Sequence, residues 1–109
     1  MIYLHSTYHV EPGKMEEYLD VVQRLQLPYG KARGLNVVGY FRTAGVPGPT
    51  TDIVALYAFK DWHAWAEMRD SKPTPELQGM MQEYEAKAQF CRPKYESKFL
   101  IPTPFSPLQ

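Results

Sequence analysis

The sequence predicts an α+β domain, a four-stranded antiparallel sheet carrying its helices on one face. Three observations predict it. Four stretches rich in β-branched and aromatic residues read as strands, the first and last with side chains alternating on a period of two. Three others place apolar residues three and four apart, as helices do. Their order, β-α-β-β-α-α-β, leaves adjacent strands to pair antiparallel. At 109 residues the chain has the length of one domain with its own core.

The first strand is MIYLHSTYHV. Alternation puts Tyr3, His5, Thr7 and His9 on one face and Ile2, Leu4, Ser6, Tyr8 and Val10 on the other. Pro12-Gly13 then turns the chain. A helix follows with Met15, Tyr18, Leu19, Val22 and Leu25 as its stripe, and it is expected to stop at Leu27-Pro28. GLNVVGYFRTAG is the second strand, closed by Gly45, and VPGPTT is a stiff connection. DIVALYAF, the third strand, is apolar on both faces, so it needs cover on both. Helices can supply one cover; a second copy of the chain is expected to supply the other.

KDWHAWAEMRD predicts a short helix capped by Asp61. KPTPELQGMMQEYEAKAQFC predicts a longer one, with Thr74 as cap, Pro75 in the first position and Glu76 at the positive end of the dipole. Its stripe is Leu77, Met80, Met81, Tyr84, Ala88 and Cys91. PKYESKFLI reads as an edge strand. The final PTPFSPLQ is too proline-rich for either element and is expected to be extended, with Phe105 and Leu108 to bury. The arrangement is ferredoxin-like.

Twelve basic and twelve acidic residues cancel and are interspersed, which favours neither nucleic acid nor an anionic membrane as partner. No apolar run approaches the roughly 20 residues of a membrane helix. The N-terminus lacks a basic stretch, and His5 interrupts what would be the apolar core of a signal peptide. One cysteine, Cys91, forms no internal disulfide and suits a reducing compartment. A cytoplasmic location is the expectation. Nothing matches a nucleophile elbow, a phosphate-binding glycine loop or a dinucleotide fingerprint.

MIY…TYHVEPGKMEEYLDVV, VVGYF, DIVALYAFKDW and above all the tail PTPFSP resemble the NIPSNAP family, within the wider dimeric α+β barrel group. The most specific elements are Pro12-Gly13-Lys14, Gly39-Tyr40-Phe41 and the segment from Pro102 to Pro107. The resemblance implies a homodimer in which two sheets face each other as a barrel, with helices outside. Residues 1–101 would form that domain and 102–109 a proline-rich tail. It implies no single activity: some relatives are associated with mitochondria and vesicle traffic, and the wider group includes polyketide cyclases, cofactor-free monooxygenases and haem enzymes. This chain departs from the family at Leu4 and Ser6, which replace charged residues, near Trp65, where an arginine is usual, and at Leu77, which replaces a tryptophan. No functional residue is carried over at those positions.

The candidate chemistry centres on His5. His5 and His9 stand roughly 13 Å apart on a strand at about 3.3 Å per residue, too far to share one metal ion. His9, at the strand end beside Glu11, is expected to be solvated. His5 is expected to be interior, either as a core histidine bonded to a tyrosine or as a general acid-base group, since an imidazole titrates close to neutrality. Tyr40 and Tyr57 are candidate phenol donors to a developing enolate oxygen, or else simple fillers of the interior. Tyr3, Trp62, Trp65, His63 and Arg42 are candidate substrate-binding residues. Trp62 and Trp65 share a helical face that suits packing on the sheet, with Arg69 over Trp65. His63 and Glu67 suit an exposed pair, and a haem reading would rest on His63 alone as axial ligand. Arg42 is either a solvated edge residue or an anion clamp.

The function expected is a homodimeric small-molecule-binding domain for an apolar or aromatic ligand. It extends to a cofactor-free acid-base enzyme of cyclase, isomerase or monooxygenase type acting on an enolisable substrate. Neither a metal nor another cofactor is expected. The competing reading is a non-catalytic dimeric scaffold for protein association.

Overall fold

The computed structural model describes residues 1–44 and 49–109. Strand β1 (Ile2–His9) leads through a turn at Gly13, whose φ of 81° suits glycine, into helix α1 (Met15–Val21). A π-helical segment, Val22–Gln26, joins α1 to α2 (Leu27–Ala32). Then come β2 (Asn36–Ala44), β3 (Pro49–Phe59), α3 (Trp62–Asp70), α4 (Pro75–Cys91) and β4 (Lys94–Leu100). The sheet is antiparallel in the order β2-β3-β1-β4, with helices on one side.

The expected helix end at Leu27-Pro28 is corrected. Helical backbone continues through Gln26 and Leu27 (φ −69° and −64°) and on to Ala32. The reason lies in the π segment, where the Leu27 N–H reaches back five residues to the Val22 carbonyl. Proline lacks a donor, and this wider register lets Pro28 start a new helical stretch instead of ending the old one. The true stop is a Schellman turn: the Gly34 N–H bonds the Lys31 carbonyl (3.1 Å) and the Leu35 N–H bonds that of Gly30 (2.8 Å). Gly34 takes a φ of 80°, the left-handed conformation this turn requires.

β3 starts at Pro49, earlier than expected, so the connection is shorter; the expected closure at Gly45 and residues 46–48 lie outside the described residues. The tail is not extended. The Ser106 N–H bonds the Thr103 carbonyl (3.0 Å), and the Gln109 amide bonds the Thr103 (2.9 Å) and Ser106 (2.5 Å) carbonyls, folding 103–109 into a hook. Phe105 is 87% exposed on it.

Both expected helix caps are present. The Asp61 carboxylate accepts from the Ala64 N–H (2.8 Å) and the Thr74 hydroxyl from the Leu77 N–H (3.3 Å). The core lies between helices and sheet: Tyr18, Val21, Val22 and Leu25 from the first helical stretch and Tyr84, Ala88 and Cys91 from α4 meet Ile2, Tyr8, Ile53, Ala55, Tyr57 and Phe59. Cys91 is fully buried, and that burial pushes its thiol pKa up. Among the described residues no helix is long and apolar enough to cross a membrane.

Candidate functional site

The sheet has two faces with different chemistry. Register fixes which side chain belongs to which, since neighbours across paired strands share a face. On the face away from the helices, Tyr3, His5, Thr7 and His9 of β1 oppose Ala58, Leu56, Val54 and Asp52 of β3. Their β4 neighbours are Leu100, Lys98, Glu96 and Lys94. β2 adds Gly39 and Phe41, and the Phe41 ring lies over Gly39 where a Cβ would stand. The C-terminal hook reaches this open face, where the Tyr3 hydroxyl donates to the Gln109 carbonyl (2.8 Å).

Two hollows indent the open face. One, about 290 Å³, is walled by Tyr3, Leu56, Leu100, Ile101, Pro102 and Leu108 among others. The second, about 170 Å³, is lined by His5, Thr7, Glu96, Ser97 and Lys98. The His5 ring is half-buried and forms no hydrogen bond among the described residues. It faces a hollow, and the core histidine bonded to a tyrosine is not what the structure shows.

His9 is not simply solvated. Its Nδ1 lies 3.0 Å from the Asp52 carboxylate on β3 and its Nε2 3.4 Å from that of Glu96 on β4. The Asp52 hydrogen bond raises the imidazole pKa above its ordinary value, with Glu96 adding to it against a smaller cost of burial. His9 thus contacts both neighbouring strands, linking β1, β3 and β4.

The helix-facing side holds a polar cluster inside the core. The Tyr40 hydroxyl donates to the Gln26 side-chain carbonyl, and the Gln26 amide donates to the Tyr57 hydroxyl (3.1 Å). Tyr57 in turn lies 3.4 Å from the Tyr8 hydroxyl. Alongside, Tyr18 and Tyr84 pair at 3.3 Å, and Arg92 donates to Tyr84 and to Glu85, each at 3.4 Å. The Arg92 guanidinium is boxed by the rings of Tyr95 (4.8 Å), Tyr8 (5.3 Å) and Tyr84 (5.5 Å). Burial pushes the phenols of Tyr18, Tyr40, Tyr57 and Tyr84 up, so they stay protonated near neutrality. Burial works against the Arg92 charge, yet the Tyr84 hydroxyl and the Glu85 carboxylate hold its pKa above the usual value.

The predicted site is therefore divided. Tyr40 and Tyr57 lie together on the helix side, while His5 and Tyr3 lie on the open side, with the sheet between. Tyr57 follows Leu56, the cross-strand partner of His5, and alternation sends it the opposite way. Trp62 and Trp65 also lie apart from His5, stacked edge-on against Phe99 at 4.7 and 5.1 Å. Arg69 covers Trp65 at 4.5 Å, as expected from the spacing. His63 forms the exposed pair with Glu67 (2.9 Å), and Arg42 is exposed on the edge strand β2.

Sequence reasoning passed over Gln26, Arg92 and Lys98. The first two carried a signal: Gln26 follows Tyr18 and Val22, and Arg92 follows Tyr84 and Ala88, each at steps of four on a buried stripe. Lys98 carries no such signal, being one of several charges along an edge strand.

An antiparallel sheet in this order, with helices on one face and a bare second face, defines the ferredoxin-like α+β class. Within it, the NIPSNAP family model matches residues 3–107, and the chain belongs to the NIPSNAP family. Solved structures agree. A NIPSNAP domain protein from Burkholderia xenovorans superposes with a TM-score of 0.81 at 23% identity, over 98% of this chain and 99% of that one. A NIPSNAP family protein from Agrobacterium tumefaciens gives 0.79 at 26% identity, over 99% and 98%. An antibiotic biosynthesis monooxygenase shares the fold at a TM-score of 0.58 and 13% identity, over 95% and 100%. No curated protein matches the chain.

Proposed function

We propose that the protein is a homodimeric small-molecule-binding domain whose ligand lies on the open sheet face beside His5. One observation carries this reading: a half-buried imidazole, without a side-chain or main-chain partner among the described residues, lines a hollow on a face that the chain's own helices leave bare. Large exposed apolar surface marks an interface. Here Phe41, Leu100 and Ile101 are 54, 38 and 65% exposed, at or beside that face. Closing two such faces on each other would supply the second cover that β3 needs and would enclose the hollows. The separation of His5 from Tyr40 and Tyr57 favours binding, with His5 as hydrogen-bonding or acid-base group, over an enolate mechanism that uses those phenols.

Sedimentation tests the assembly and a thermal-shift screen with aromatic and aliphatic acids tests the ligand. A dimer at micromolar concentration, with a ligand shift that His5→Ala removes, is the expected result. A monomer with no shift across the screen would overturn the reading. The exposed hook favours a second reading, in which Phe105 and Leu108 contact another protein chain.

A further inference from the structure

The two hollows on the open face are neighbours, and their chemistry differs. Tyr3 and His5 are two residues apart on one strand, as are Leu100 and Lys98 on the next, so the hollows follow one another along β1 and β4 at a step of about 6.6 Å. The end under the hook is mostly apolar, walled by Tyr3, Leu56, Leu100, Ile101 and Leu108 among others. The other end carries two nitrogen donors without partners among the described residues, the His5 ring and the Lys98 ammonium. Its one carboxylate, Glu96, is engaged by His9 at 3.4 Å. Thr7 adds a hydroxyl.

We infer that this groove takes a free amphipathic monocarboxylate, its carboxylate at His5 and Lys98 and its hydrocarbon chain under the C-terminal hook. The inference rests on the open-face reading and narrows its ligand. A carboxylate suits the polar end because a neutral imidazole still offers one N–H and an ammonium offers three. An unbranched chain suits the other end, whose walls are mostly apolar; of its polar members, the Tyr3 hydroxyl is committed to Gln109 and the Ser106 hydroxyl to the Leu108 carbonyl, with Thr103 beside them.

Titration calorimetry on the full-length protein tests it, with hexanoate, octanoate, decanoate and decanol as probes and sedimentation run in parallel. Decanoate is expected to bind one per chain, each added methylene tightening binding up to about fourfold. Lys98→Met should weaken decanoate about tenfold and leave decanol unchanged. Leu108→Ser should weaken both to a similar extent. Equal affinity for decanol and decanoate, or no binding by a folded dimer, would overturn the inference while leaving the dimer standing. Binding with the same head-group preference by a monomer would uphold the inference and overturn the dimer alone. Co-flotation with phosphatidylglycerol vesicles in place of saturable binding would reassign the groove to a membrane surface and overturn it.

Discussion

His5 and Tyr57 stand back to back through the sheet: His5 pairs across β1 and β3 with Leu56, and Tyr57 is the next residue along β3. One faces the open side; the other hydrogen-bonds Gln26 among the helices. Two side chains that suit a single proton-transfer site are thereby assigned to different environments, and each can be tested separately.

The helix-side cluster is a stability element. Gln26→Ala would leave the part-buried Tyr40 hydroxyl without its acceptor and take one of its hydrogen-bond partners from Tyr57, which keeps Tyr8. A loss of about 1–3 kcal/mol is expected, the cost of leaving a buried polar group unpaired. Urea unfolding measures it. Tyr40→Phe in the Gln26→Ala background should then add less than it does alone, because the two share one bond.

His9 gives the fold a pH dependence of known sign. Its pKa is raised in the folded state, so its contribution is fully present below the unfolded value, about 6.5, and is lost as pH rises through the folded value. Unfolding midpoints should therefore fall between pH 6 and pH 8.5 more in the native protein than in His9→Gln. Parallel curves for the two would show that the contacts with Asp52 and Glu96 have no energetic weight.

The proposed dimer predicts the effect of charge on the open face. Leu56→Arg would place a guanidinium where the two sheets are to meet, and sedimentation should show monomer with helical content retained by circular dichroism. Truncation after Leu100 removes the hook with Phe105 and Leu108 and should weaken dimer affinity. An unchanged dissociation constant would show that the hook does not brace the partner.

Helix caps offer a local check. Asp61→Ala removes the acceptor for the Ala64 N–H and should cost about 1 kcal/mol; Thr74→Ala should cost a comparable amount at Leu77. Thermal unfolding of the two variants and their double mutant should be additive, since each cap serves its own helix.

The strands, the caps and the buried stripe of α4 were all legible because each rests on interactions within a few residues. Pro28 departs from its local expectation for the complementary reason. Its meaning depends on a π turn that starts six residues earlier, and no local propensity announces one. His9 looked solvated because its partners, Asp52 and Glu96, are 43 and 87 positions away in the chain. The hook was missed because PTPFSPLQ shows no periodicity, and its bonds to Thr103, Ser106 and Tyr3 include one that spans almost the whole chain.

By itself the sequence determined the class of fold and the alternation of faces along β1, β3 and β4, since alternation and helical spacing follow from backbone geometry alone; in β2 the irregularities between Val37 and Gly39 and between Arg42 and Ala44 break that alternation. Tertiary structure decided which of those faces meet. Strand order set Lys98 beside His5 and sent Tyr40 and Tyr57 to Gln26. Contacts of that kind depend on register between segments distant in the chain, and a periodic pattern carries no information about register.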